Sequence, residues 1–315
     1  MYQQIARNKR RTVGCILAFF VVWVGIGAVL GLVWAVAAPA TSVAAPTAQG
    51  QDLATGVVVA GVLALAGIAF SLTTGARLVL RVSGAQPADA EHYRQLHNLV
   101  EALAIGEGLP APQVYVIDDV SPNAFATGTS PTHAAITVTT GLLAIMNREE
   151  LEGVIAHEMS HIKNYDVRLL LIVSTLIGMA GLLASLVWRS AFFVRGRGRQ
   201  GGQLVIIVIV AGALLGVVAV IFGPLVRLAL SRQRESLADV SGVELTRNPA
   251  GLIHALEKLQ RSEEPFARFN HATAAMCIDD PLQHHHSRIH RLFDTHPPLA
   301  DRIAVLRRIE QATAA

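Results

Sequence analysis

The segment Ala156-His157-Glu158-Met159-Ser160-His161 carries the spacing H-E-x-x-H. On a helix, residues i and i+4 stack on one face, so two imidazoles there bind one metal from two corners of a tetrahedron. Glu158 projects beside them, within reach of a water at the metal as general base. Nitrogen and oxygen donors favour zinc, which brings the pKa of its water to about 7 and so gives a nucleophile at neutral pH without a covalent intermediate. The bland reading of the motif is an amphipathic helix with two solvent-facing histidines, so the metal reading requires a third ligand. Glu235 supplies it, within Arg234-Glu235-Ser236-Leu237-Ala238-Asp239. Glu235 and Asp239 are again four residues apart. One ligates, and the other accepts the outer ring N–H of a liganding histidine, which fixes its tautomer. Taken without the upstream motif, the same acids would pair with Arg232 and Arg234 on a solvated face.

The elements that must position these groups follow from periodicity and punctuation. Residues Ala88–Gly108 have helical spacing through Leu96, Leu99, Val100, Leu103 and Ile105, and run into Gly108-Leu109-Pro110, a stop signal. Gln113–Ile117 and Ala134–Thr139 read as strands, with a turn over Asp118–Asn123. Thr140–Asp166 and Ser231–Val243 read as helices. Asn248-Pro249 opens another to about Arg261, and Pro297 opens a last one through Glu310.

Four apolar runs are long enough to cross a bilayer, which takes about 20 residues. They are Gly14–Ala38, Thr55–Ala76, Leu169–Trp188 and Leu204–Phe222, and none contains a charge. They explain why 52% of the 315 residues are hydrophobic and only 16% charged. The first follows Arg7, Lys9, Arg10 and Arg11 and is too long for a signal-peptide core, so it reads as a retained anchor. The segment Pro39–Gln51 has no Lys or Arg, which places the N-terminus in the cytoplasm and this loop outside. The loop with Arg189, Arg195, Arg197 and Arg199 conflicts with an external position, so the second pair of runs either crosses despite that charge or enters as a hairpin. A metal shared by His157, His161 and Glu235 requires an even number of crossings between them, and two runs lie there. His161 stands about eight residues before the third run, close to the bilayer at about 1.5 Å per residue, and the catalytic helix is expected to continue into it.

Cys15 and Cys277 are the only cysteines, which argues against a disulfide framework or a cysteine-rich metal site. A net charge of +3 and 5% aromatic residues offer no basic-aromatic face for nucleic acid. The run His284-His285-His286 lacks paired carboxylates or helical spacing and reads as a solvated loop. The small-x-x-x-small pairs Gly27/Gly31 and Gly212/Gly216 suit helix association, leaving an oligomer open.

With these residues in hand, the chain resembles the HtpX-type membrane metallopeptidases, relatives of the CAAX prenyl endopeptidases. The resemblance rests on Asn123-Ala124-Phe125-Ala126-Thr127-Gly128, on His157 to His161, on Glu235 to Asp239, and on Thr295-His296-Pro297-Pro298 with Arg302, in that order and with the apolar pair between the second and third. It implies that Asn123, Ala124, Phe125 and their strand bind substrate backbone by strand addition. It also implies that His296 helps stabilise the oxyanion, with Arg302 nearby at the substrate. Asp166 fits the family pattern without a physical role that the residues disclose.

The expected fold is an α-helical membrane protein with four transmembrane helices and a mainly helical, zincin-like α+β peptidase domain. Residues 1–76 form an anchor hairpin, 77–168 the first catalytic part, 169–230 a second membrane hairpin and 231–315 the second catalytic part. The expected function is a zinc endopeptidase with one Zn²⁺ per chain and Glu158 as base. It acts on cytoplasm-exposed parts of membrane proteins, misfolded ones by the resemblance, in a bacterial inner membrane. Two rivals stand beside it: a CAAX-type processing protease, which would need a larger membrane chamber, and a non-catalytic scaffold with structural zinc, which would need a fourth protein ligand.

Overall fold

The structure is a computed structural model and describes residues 2–37, 46–175, 232–262 and 298–314, with short stretches between 178 and 214. Its elements are α1 (Tyr2–Ala37), α2 (Pro46–Val82), β1 (Gln86–Pro87), α3 (Arg94–Glu107), β2 (Gln113–Ile117), β3 (Ala124–Ser130), β4 (His133–Thr139), α4 (Thr140–Ile145), α5 (Arg148–Lys163), α6 (Arg232–Thr246), α7 (Pro249–Arg261) and α8 (Leu299–Ala314). They fall into two compact units. One comprises Met1–Arg11, Thr74–Leu171 and Val226–Ala315, the other Thr12–Thr73 and Ile172–Leu225.

The second unit holds most of two helices that are long and apolar enough to cross a membrane, Ile5–Val33 and Gln51–Val82. Val13, Leu17, Val21, Val58, Val62 and Leu65 face outward. An apolar exterior suits lipid, where a helix satisfies its own backbone. Phe19, Trp23, Ile26, Ala64 and Ile172 form the interior cluster. Gly27 and Gly56 face one another so closely that a Cβ on either would overlap the other's carbonyl oxygen, and a Cβ on Gly31 would stand 2.6 Å from the Asp52 carbonyl oxygen. The Gly27/Gly31 pair is therefore used within the chain, to join α1 to α2. α2 begins at Pro46, inside the stretch read as a loop to Gln51, because proline's fixed φ suits a first helical turn. The runs Leu169–Trp188 and Leu204–Phe222, the basic loop after Arg189, and Gly216 lie largely or wholly outside the described residues.

The first unit is built on a four-stranded sheet of order β1-β2-β4-β3. β2 pairs parallel with β4, and β3 pairs antiparallel with β4 and forms an edge. β2 matches the sequence reading. β3 and the two-residue β1 escaped the pattern, since Ala124-Phe125-Ala126-Thr127 is buried on both faces and does not alternate. α3 starts later than expected because the Asp89 carboxylate accepts the amides of Glu91 and His92 and holds a turn there. It ends as read, with Gly108 left-handed at φ 67°.

The single helix expected over Thr140–Asp166 is broken twice. Met146 is extended and Asn147 caps α5, its side chain accepting from the Glu150 amide while Glu150 accepts from the Asn147 amide. Such a reciprocal cap stabilises a helix start by about 1 kcal/mol. At the other end Asn164 caps α5 and Tyr165 turns left-handed at φ 61°, before helix resumes over residues 166–175. The metal-motif helix therefore stops at Lys163 and does not run on. Val154, Ile155, Met159 and Ile162 of α5 are fully buried, each worth roughly 1.5–3 kcal/mol. α5 is the axis of this unit and packs against α3, α6, α7, β3 and β4.

Candidate metal centre

α5 brings His157 and His161 onto one face, with ring centroids 4.8 Å apart and planes nearly perpendicular. Their Nε2 atoms lie 3.2 Å apart. α6 lies against them, and Gly242 permits the approach: a Cβ there would sit 3.1 Å from the His157 amide nitrogen. Glu235, Asp239 and Gly242 recur at helical spacing, so all three meet α5. Glu235 thereby places Oε2 at 3.6 Å from His157 Nε2 and Oε1 at 3.7 Å from His161 Nε2. The three residues are buried and form the group able to hold a metal ion among the described residues.

Metal–ligand bonds of about 2.0–2.2 Å in a tetrahedron separate the ligand atoms by about 3.3–3.6 Å. The observed separations of 3.2, 3.6 and 3.7 Å bracket that range closely, so the donor set fits such an ion in size as well as in chemistry. Charge fits too. Four buried carboxylates, Glu158, Asp166, Glu235 and Asp239, against two buried guanidiniums, Arg234 and Arg302, leave a formal charge of −2, which a divalent cation neutralises.

The outer nitrogens of both rings meet carboxylates. His157 Nδ1 lies 2.8 Å from Asp239 Oδ1, and Asp239 is forked by Arg302 through Nη2 at 2.6 Å and Nε at 2.9 Å. His161 Nδ1 lies 3.1 Å from Asp166 Oδ2. Asp166 Oδ1 accepts from Asn8 Nδ2 at 2.7 Å and is ion-paired with the Arg234 guanidinium, whose Nε lies 3.0 Å away. Both Nε2 atoms are thus left to face Glu235. Burial opposes a charged His157 ring, as does Arg302, yet the bonds to Asp239 and Glu235 prevail and raise its pKa to about 9. His161 is raised in the same way: burial opposes the charge, and Glu235 and Asp166 outweigh it. Burial works against an ionised Asp239, but Arg302 and His157 lower it to about 2. Burial likewise opposes a charged Arg302, and the Asp239 carboxylate raises its pKa further above the usual range.

Asn123 is buried just ahead of the edge strand β3. Its amide donates to Thr139 Oγ1 at 2.9 Å, and its Oδ1 accepts from the Ala124 amide. Ala124 and Phe125, also buried, begin the strand, which packs beside α5. Arg302, read from the sequence as a substrate contact, is 2% exposed and engaged with Asp239. His296, Cys277 and His284 to His286 lie outside the described residues. Sequence reasoning gave Asp166 no role, considered Arg234 only in the rival reading of a solvated face, and passed over Asn8. Nothing local marks these three, because their partners lie far away in the chain.

Two imidazoles on one helix, a carboxylate on the next, and a buried acid behind each ring are the arrangement that a metallopeptidase centre uses, and two helices of the chain are long and apolar enough to cross a membrane. The model of Peptidase family M48 matches residues 90–310. A "Protease HtpX homolog" of Streptococcus mutans is 41% identical over 99% of both chains, and one of Limosilactobacillus fermentum is 41% identical over 98% of this chain and all of its own. The solved structure of S. mikatae Ste24p aligns at 21% identity with a TM-score of 0.47, over 78% of this chain and 56% of that one. The chain belongs to peptidase family M48, as an HtpX-type member.

Proposed function

We propose that the protein is a membrane-embedded zinc endopeptidase that cleaves cytoplasm-exposed segments of membrane proteins, misfolded ones included, with Glu158 as general base. The observation that carries this reading is the convergence of His157 Nε2, His161 Nε2 and the Glu235 carboxylate at tetrahedral spacing. These residues would hold one Zn²⁺ per chain, which when bound supplies a Lewis acid for the scissile carbonyl and lowers the pKa of water. Glu158, buried on α5 next to His157, takes the proton of the attacking water on its carboxylate and delivers it to the leaving nitrogen. Asp239 and Asp166 accept the Nδ1 protons and hold both rings in the tautomer that presents Nε2. The edge β3, with Asn123, Ala124 and Phe125 at its start, takes up substrate backbone as an added strand. His296 donates to the oxyanion. Arg302 is assigned to holding Asp239 and, both through it and by its own contact to the ring at 3.3 Å, His157.

In this reading, residues 1–76 and 169–230 form two membrane hairpins with four spans, and 77–168 and 231–315 form the catalytic parts. The site faces the cytoplasm of a bacterial inner membrane, an orientation that the Lys and Arg near the start of α1 favour. Three protein ligands leave a fourth position for chemistry, which favours an enzyme over a scaffold.

The test pairs zinc content with cleavage of an unfolded protein, for wild type and Glu158→Gln in detergent. Zinc near one per chain in both, with cleavage lowered about 10²–10⁴-fold in the variant, is expected. Equal cleavage by the two proteins, or no metal on the wild type, would overturn the reading.

A further inference from the structure

Asn8 sits in the first turns of α1 among Arg7, Lys9, Arg10 and Arg11, yet it is fully buried at 0% exposure. Burying a primary amide is costly unless its donors and acceptor are met. Here all are met by residues more than 150 positions away. Nδ2 donates to the Asn164 carbonyl oxygen at 2.9 Å and to Asp166 Oδ1 at 2.7 Å, and Oδ1 accepts from Arg234 Nη2 at 3.4 Å. Each contact falls on a part of the metal centre's frame. Asn164 caps the helix that carries both histidines. Asp166 faces His161 Nδ1. Arg234 is next to Glu235.

The geometry at Asp166 gives the amide its effect. One carboxylate oxygen faces His161, while the other accepts from Asn8 and is ion-paired with Arg234. The Asn8 hydrogen bond and the Arg234 charge, both on one oxygen, hold the carboxylate against rotation, so the other oxygen stays aimed at the ring. Asn8 also bonds the last carbonyl before the left-handed Tyr165, and so holds the bend that brings Asp166 back towards His161. We propose that Asn8 is a positioning residue of the metal centre, and that the basic first turns of α1 set how His161 presents Nε2. This rests on the zinc reading above.

The experiment measures zinc affinity of the full-length protein in detergent, by competition with a chelator. It compares wild type, Asn8→Ala, Asp166→Asn, the double variant, and Arg7→Gln as a control on the exposed side of the same turn. Outer partners of a liganding histidine are worth about 10–100-fold in metal affinity, and Asn8 acts one bond further out, so about fivefold weakening is expected for Asn8→Ala. Asp166→Asn should weaken binding about tenfold, with the double variant within about twofold of it, since Asn8 works through Asp166. Arg7→Gln should match the wild type. An Asn8→Ala affinity within twofold of wild type overturns the proposal, as does a loss that repeats in full on the Asp166→Asn background. If Asn8→Ala does not fold, Asn8→Ser keeps a small polar group there and is read by the same criteria. No zinc on the wild type or Arg7→Gln instead overturns the zinc reading itself.

Discussion

His157 and His161 stand one helical turn apart, and each ring has a carboxylate and an arginine behind it, but the two supports differ in kind. Behind His157, Arg302 takes both oxygens of Asp239 in a fork, one ion pair contributed by α6 and α8. Behind His161, the Asp166 carboxylate is divided. One oxygen serves the ring and the other is shared between the Arg234 guanidinium and the neutral Asn8 amide. The first support depends on one strong bidentate contact, the second on several weaker ones. Loss of one partner should therefore leave Asp239 without its counter-ion but Asp166 still held.

That difference is open to direct attack. The largest effect is expected from Arg302→Met. Removing one partner of a buried ion pair costs about 3–5 kcal/mol, because the remaining charge is left without compensation. Arg234→Met should cost about half of that, since Asn8 still donates to Asp166. Thermal melting of both variants without metal, in detergent, gives the comparison, and equal losses would erase the asymmetry. Next come the carboxylates. Asp239→Asn should weaken zinc about 100-fold and Asp166→Asn about tenfold, measured by chelator competition, and the reverse order would show that His161 carries the tighter constraint.

The smallest effect is one of pH. In the metal-free protein His157 holds its proton up to about pH 9, and His161 is raised as well. A raised folded-state pKa gives stability that is complete below the ordinary value of 6.5 and is lost as pH rises through about 9. The metal-free protein should thus melt at lower temperature as pH goes from 6.5 to 9. Zinc must displace those protons, so its apparent affinity should rise over the same range, by about tenfold per unit for each proton displaced. Melting curves and zinc titrations at three pH values check both signs. Asp239→Asn should flatten the slope more than any change behind His161.

Much of this centre is legible in the sequence because helical periodicity is local. His157, His161, Glu235 and Asp239 announce themselves through i, i+4 spacing, and Asn248-Pro249 and Gly108 mark helix ends that the structure reproduces. The break before α5 has a local signal as well: Asn147 and Glu150 stand at capping-box spacing, overlooked inside a continuous apolar pattern. The break at Tyr165 has none. A tyrosine in the left-handed region is fixed by its surroundings and not by its type, and Lys9 lies over its ring at 4.4 Å. The same holds for Asn8, Asp166 and Arg234, whose bonds join residues 8, 166 and 234. Periodicity cannot carry information over that distance. Arg302 could be read from its motif, but its place behind Asp239 required the position of α8.

The span of those contacts bears on how the molecule is made. The frame of the metal site joins Asn8 of α1, Asp166 just after α5, Arg234 of α6 and Arg302 of α8. Contacts of such sequence separation form late, because the intervening chain must first be organised. A growing polypeptide that has released α5 and α6 but not α8 has both imidazoles and Glu235, yet Asp239 lacks its guanidinium. The site is therefore completed only once α1, α5, α6 and α8 have all come together, which makes its assembly a late step of folding.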